Sequence, residues 1–165
     1  PREVAAGVAL SVPCHIATAN REIDRWSNFL YLRRFLRSLN AKMAEKAARF
    51  PGEVPTVRPL PRSFHSFDDY FTGPIHGFRD ARDYWESTGS LRFIPAIDVP
   101  TLLINARDDT FLSPACYPVE LARGHARFFL EIPRWGGHVG FYEVDEERAI
   151  WSEKRAFAFI EENTR

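Results

Sequence analysis

The stretch PTLLINARDD, residues 100–109, sets the architecture. After its proline comes a short apolar run, too brief for a helix, that reads as a buried strand over 100–105. The polar phrase at its end carries two adjacent acids, Asp108 and Asp109. Downstream, ARFFLEI (126–132) reads as a second buried strand, and Gly136, Gly137 and Gly140 surround His138 in the loop that follows. Between the two, Pro118 to Arg123 reads as a short helix. Upstream, VAAGVALSV (4–12) is an apolar run ended by Pro13 and reads as another buried strand. Strands alternating with helices predict a parallel sheet covered on both faces. In such a sheet, functional groups gather at the carboxyl ends of the strands, where the polar phrases fall.

The connection between the first two strands is far longer than usual. Ile16 to Phe50 reads as helical, with Phe29, Leu30, Leu32, Phe35, Leu36, Leu39 and Met43 at helical spacing. Pro51 and Gly52 stop it, and Pro51, Pro55, Pro59 and Pro61 mark a loop. Phe64 to Trp85 is aromatic-rich and partly helical; Ser87 to Ser90 reads as a turn. Asp145 opens a final helix with acids in its first turn, as the helix dipole favours; its apolar face is Ile150, Trp151, Phe157 and Ile160. The expected organisation is one partial domain over 1–165. Within it, about 15–95 form a helical, cap-like insertion, and 99–165 hold the last strands and helix.

Composition narrows the function. Lys plus Arg and Asp plus Glu are both 22, so the net charge is zero and nothing suggests a nucleic-acid partner. Arg33, Arg34 and Arg37 read as a solvated helix face rather than a phosphate site. No apolar run approaches the roughly 20 residues that cross a bilayer, and no signal peptide is evident. Cys14 and Cys116 stand far apart, in no metal-type spacing, which predicts a reduced, cytoplasmic protein. The chain does not begin with Met, which fits processing or a fragment, and the motifs below favour a fragment.

Asp109 and His138 stand 29 residues apart, room for one helix and one strand. A catalytic triad needs a carboxylate that holds an imidazole in one tautomer and an imidazole that reaches a nucleophile. The order acid, then histidine, is that of α/β-hydrolases, whose serine comes earlier on a G-x-S-x-G elbow. No such elbow occurs; the frame Gly73-Pro-Ile75-His-Gly77 has isoleucine at its centre. The serine is therefore expected upstream. The residues alone leave Asp108 open as the acid, with a bond to the loop backbone as its plainer role. Asp68 and Asp69 suit a helix N-terminus better than a paired-carboxylate site. His65, His76 and His125 read as structural or exposed, Ser11 as structural, and Cys14 as a small buried residue.

Four phrases in order carry a resemblance: Val8-Ala-Leu-Ser-Val-Pro-Cys14, Phe67-Asp-Asp-Tyr-Phe-Thr-Gly-Pro74 with His76-Gly-Phe78, Asn105-Ala-Arg-Asp-Asp109 and Gly136-Gly-His-Val-Gly-Phe141. Together they resemble the YheT-like α/β-hydrolases, a family that includes the eukaryotic ABHD1, ABHD2 and ABHD3 group. The resemblance spans nearly the whole chain. It implies the C-terminal part of an α/β-hydrolase fold, with Asp109 as the acid, His138 as the histidine, and a nucleophile and oxyanion hole outside this chain. Thr110 stands where the family usually has proline, which predicts a less rigid acid loop.

The implied reaction is hydrolysis of a carboxylic ester through an acyl-serine, on a small ester or lipid-like substrate, with no metal or organic cofactor. This stretch alone is expected to be inactive, and its open sheet edge an aggregation hazard. Two other readings remain from sequence: a non-catalytic interaction module on the same scaffold, and an acyltransferase.

Overall fold

A computed structural model describes residues 3–143 and 150–164. The chain forms two compact units. One joins the described residues up to His15 with those from Ser90 onward; the other is Ile16–Gly89.

The first unit is built on three parallel strands, β1 (Gly7–Leu10), β2 (Thr101–Ile104) and β3 (Phe128–Glu131), in that spatial order. Each is shorter than the apolar run that announced it. The register pairs Leu10 with Ile104, and Ile104 with Glu131. The three carboxyl ends are therefore level, and the loops that follow start from one edge.

Side chains alternate across the sheet, as strand geometry requires. Leu102 and Ile104 point to one face, where they meet Phe141 and Phe159, flanked by Val8, Leu10 and Trp151. Leu103 and Phe128 point to the other, against Cys14 and Ile94, with Ala122 alongside. Helix α6 (Val119–Arg123) lies between β2 and β3 in the chain and supplies Ala122 to that second face. Burying a side chain such as Leu102 or Ile104 completely contributes about 1.5–3 kcal/mol.

The last helix of this unit, here α7, is described over Trp151–Thr164; the expected start at Asp145 lies outside the described residues. Its buried positions are Ser152 and Phe159, whereas Phe157 and Ile160 are exposed. The apolar-face assignment is thus corrected at Phe157 and Ile160, while Trp151 packs against the core as expected. Ser152 and Phe159 are seven residues apart and share one side of the helix, and Phe157 falls across the axis from them. Arg155 fastens the helix to the end of β3 with Nε and Nη2 at 2.8 and 2.7 Å from the same Glu131 oxygen.

The second unit contains α1 (Ile16–Ile23), α2 (Phe29–Arg49), α3 (Phe64–Phe67), α4 (Gly73–Ile75) and α5 (Ala81–Thr88), with one π-helical turn at Asp68–Thr72. The expected continuous helix from Ile16 is interrupted before α2. The buried Asn28 donates its amide to the Glu22 carbonyl at 2.9 Å, satisfying the end of α1. Leu36 and Met43 of α2 meet Phe67 and Phe71. Phe29 and Leu30, expected on the same apolar stripe, are exposed instead. The expected Ser87–Ser90 turn is also shorter, because α5 continues through Thr88, whose hydroxyl bonds the Tyr84 carbonyl. Among the described residues no helix is long and apolar enough to cross a membrane.

Candidate active site

The loop after β2 is held by its own side chains. Asn105 is completely buried; its Oδ1 accepts the Val12 N–H at 2.9 Å, and its Nδ2 donates to the carbonyls of Val12 and Cys116 at 3.1 and 2.8 Å. One amide thus ties the ends of β1 and β2 to the 3-10 turn Pro114–Cys116. The Tyr117 hydroxyl donates to the Ala106 carbonyl at 2.6 Å. Burial first, and then the neighbouring Asp109 carboxylate, push the Tyr117 phenol up to about 12, so it keeps its proton.

Asp109 follows in a turn of its own making. Its Oδ1 accepts the Phe111 N–H at 2.9 Å, an Asx-type bond that closes the chain around Thr110. That bond and the Tyr117 tether hold the loop where the sequence lacks the usual proline.

The other carboxylate oxygen faces His138. Asp109 Oδ2 and His138 Nδ1 are 3.0 Å apart; the Asp109 side chain is 0% exposed and the His138 side chain 37%. A carboxylate can only accept, so Nδ1 carries a proton, and in the neutral ring the lone pair is then on Nε2. The Phe111 ring lies 4.8 Å from the imidazole, centroid to centroid, at 47°. An imidazole backed by a buried carboxylate, with part of its surface open to solvent, can take a proton from a nucleophile and return it to a leaving group.

The histidine loop is shaped differently. The Gly136 carbonyl accepts from the N–H groups of Gly140 and Phe141, folding 136–141 into one tight turn. A Cβ on Gly136 would lie 2.5 Å from the Phe141 ring, so only glycine fits there. Gly137 has φ +54, and Val139 and Phe141 adopt φ of 57 and 38. Left-handed backbone costs a β-branched residue such as valine of order 1–3 kcal/mol.

Two side chains from elsewhere hold that geometry on either side of the histidine. Asp108 Oδ1 accepts the Gly137 N–H at 2.9 Å, and the buried Ser11 Oγ accepts the Val139 N–H at 2.9 Å. Ser11, at the carboxyl end of β1, is itself left-handed, with φ 51.

Asp109 touches the imidazole, and Asp108 bonds the histidine loop's backbone. Ser11 and Tyr117 are members of this cluster that sequence reasoning did not assign to it. The strand-end position of Ser11 was visible, but its partner lies 128 residues away. Asp69 accepts the Ala81 N–H at the start of α5. Asp68 does not serve a helix start. It is a buried acceptor for Thr72 Oγ1, Trp85 Nε1 and Asn20 Nδ2, because those donors surround it. Both cysteines are buried and free, and burial pushes the Cys14 thiol up, which makes it a poor nucleophile. His65 and His76 are exposed, and His125 accepts the Arg127 N–H. Among the described residues no group of three or more His, Cys, Asp or Glu side chains is placed to hold a metal ion.

A parallel sheet with helices on both faces and an acid–histidine contact across the loops at its carboxyl edge corresponds to the C-terminal portion of an α/β-hydrolase fold. Known proteins narrow that class. YheT of Escherichia coli is 32% identical over 142 residues, which cover 84% of this chain and 41% of YheT. Phospholipase ABHD3 of Mus musculus is 26% identical over 140 residues, 84% of this chain and 34% of the phospholipase. Medium-chain fatty acid ethyl ester synthase/esterase 2 of Saccharomyces cerevisiae is 30% identical over 99 residues, 60% of this chain and 21% of the yeast protein. The chain belongs to the YheT/ABHD-like family of α/β-hydrolases, and it spans less than half the length of these relatives. No family model and no solved structure matches it.

Proposed function

We propose that Asp109 and His138 are the acid and the general base of a serine hydrolase acting on carboxylic esters, with the nucleophilic serine carried outside these 165 residues. The main support is the contact of 3.0 Å between a buried carboxylate oxygen and the imidazole Nδ1. It leaves Nε2 as the basic nitrogen. In the reaction Nε2 takes the serine proton as the oxygen attacks the ester carbonyl. It then delivers that proton to the leaving alkoxide, which departs as the alcohol. Water repeats the sequence on the acyl-serine and releases the acid. Asp109 keeps the ring in its tautomer and stabilises the imidazolium formed at each half-reaction.

The relatives support the ester class by what they are named for: phospholipase, monoacylglycerol lipase, and ethyl ester synthase/esterase. A lipid-like or medium-chain acyl ester is accordingly the favoured substrate. The word synthase in the last name favours one further reading, in which an alcohol replaces water at the second step. The unit Ile16–Gly89 is read as an insertion between two strands of this one hydrolase domain.

The test is turnover of p-nitrophenyl butyrate by the product of the full reading frame, with and without Asp109→Asn and His138→Ala. Loss of turnover in both variants is the expected result, and wild-type rates in either would overturn the assignment. The 165-residue chain should neither turn the ester over nor take up a fluorophosphonate label; serine labelling there would place the nucleophile within it. Supplying ethanol and measuring ethyl ester against free acid separates transfer from hydrolysis.

A further inference from the structure

The strongest unassigned feature is the outer side of the first turns of α2 with the 3-10 turn Trp26–Asn28 before it. Trp26 is 85% exposed, Leu30 76% and Phe29 40%, and the Trp26 and Phe29 rings stack at 5.2 Å. Three large apolar side chains in water within five residues are a local cost that packing in this unit does not remove. Leu32, Leu36, Leu39 and Met43 define the packed side; Leu30 lies away from it, and Phe29, in line with Leu36, falls before the turns that Phe67 and Phe71 cover.

The same outer side is basic. Arg33 and Arg37 follow Phe29 at intervals of four residues, and Arg34 follows Leu30 by four, so all five side chains occupy one face. All three arginines are exposed. From residue 25 to residue 44 there are five Lys and Arg and no acid, in a protein of zero net charge. Arg25 pairs with Glu22; among the described residues no carboxylate pairs with Arg33, Arg34 or Arg37. At 1.5 Å per residue the arginines start about 6 Å behind the apolar tip.

We propose that this face docks on an anionic lipid surface. Trp26, Phe29 and Leu30 enter the boundary between headgroups and acyl chains. Arg33, Arg34 and Arg37 lie one to two turns back, at headgroup depth, where their long stems let the guanidinium groups reach phosphate. The positive end of the helix dipole points the same way. Nucleic acid would satisfy the arginines but not Leu30 and Phe29, which need hydrocarbon rather than a hydrated groove. The proposal does not depend on the roles given to Asp109 and His138.

The test is flotation of the full reading frame's product, and of this chain, with vesicles of phosphatidylcholine alone or with about a third phosphatidylglycerol. Both proteins should float with the anionic vesicles and be released as salt rises from about 0.05 to 0.5 M. Replacing Arg33, Arg34 and Arg37 by Gln should weaken binding on the order of a hundredfold, at roughly fivefold per charge. The double variant Trp26→Ser, Leu30→Ser should lose binding without losing the salt dependence of what remains. These side chains are exposed, so far-UV circular dichroism should be unchanged in both variants. Four outcomes overturn the proposal: bare anionic vesicles, equal binding to neutral ones, undiminished binding by either variant, or flotation of the short chain only. Self-association through this face, abolished by Trp26→Ser, Leu30→Ser while vesicles stay bare, would assign the face to a second copy instead.

Discussion

The two loops that meet at the candidate site are built on opposite plans. The acid loop is made from within. The side chains that hold it, Asn105, Asp109 and Tyr117, all belong to thirteen consecutive residues, Asn105 alone also reaching out to Val12, and the acid's side chain is sealed from solvent. The histidine loop is held from outside. Its backbone takes left-handed conformations that valine and phenylalanine disfavour, and its anchors are Asp108 and Ser11 from other strand ends. The contrast suits the proposed chemistry. A carboxylate that only orients can be buried and immobile, whereas a base that passes protons has to remain accessible and still keep its aim.

The contrast can be broken at four places. The largest effect is expected at Asp109→Asn, which keeps the shape but offers Nδ1 a donor in place of an acceptor. Turnover by the full-length protein should fall about 10⁴-fold. A drop of less than about tenfold, or an equal drop in Asp108→Asn, would erase the distinction between the two acids.

Next comes Gly136→Ala. Its added methyl meets the Phe141 ring at 2.5 Å and Ala106 at 2.9 Å, and overpacking of that kind costs about 1–3 kcal/mol. Urea denaturation should report the loss, and turnover should fall with it as the histidine loop shifts.

Removing either anchor should matter less. Ser11→Ala or Asp108→Ala each deletes one hydrogen bond, worth about 1 kcal/mol, or roughly fivefold in turnover. Because both bonds hold one short turn, the double variant should depart from additivity. Strict additivity in a double-mutant cycle would mean that the anchors act separately.

The smallest effect lies on the acid side. Tyr117→Phe should cost about 1 kcal/mol of stability and leave turnover nearly intact. It has a signature in pH. The folded phenol is raised from its ordinary value of 10 to about 12. Its contribution is therefore complete below pH 10 and lost as pH climbs through 12. Denaturation midpoints between those values should fall less steeply for Tyr117→Phe than for the parent; equal slopes would count against the tether.

Sequence made part of this plain. Three short apolar runs were enough to place the strands along the chain, and the acid–histidine order was enough to nominate the pair. Asp108 and Asp109 could not be separated by pattern, because their difference is which way each side chain leaves a single turn. Ser11 was unreadable for a related reason: a serine at a strand end has many uses, and its partner is 128 residues distant. Phe157 and Phe159 look alike in sequence, and a small residue, Ser152, seven positions before Phe159, marks the buried side. The aromatic stripe of α2 predicted packing along its whole length, but only its later turns find Phe67 and Phe71 to cover them.

The level ends of β1 and β2 have a further meaning. Gly7 to Leu10 run opposite Thr101 to Ile104 residue for residue, and Ser11 is the next residue beyond. One extra residue in β1 would either turn Val8 and Leu10 to the opposite side of the sheet or carry the serine hydroxyl past the Val139 amide. The strand therefore works as a ruler as well as a wall: the alternation that chooses its greasy side also measures the distance to the histidine loop.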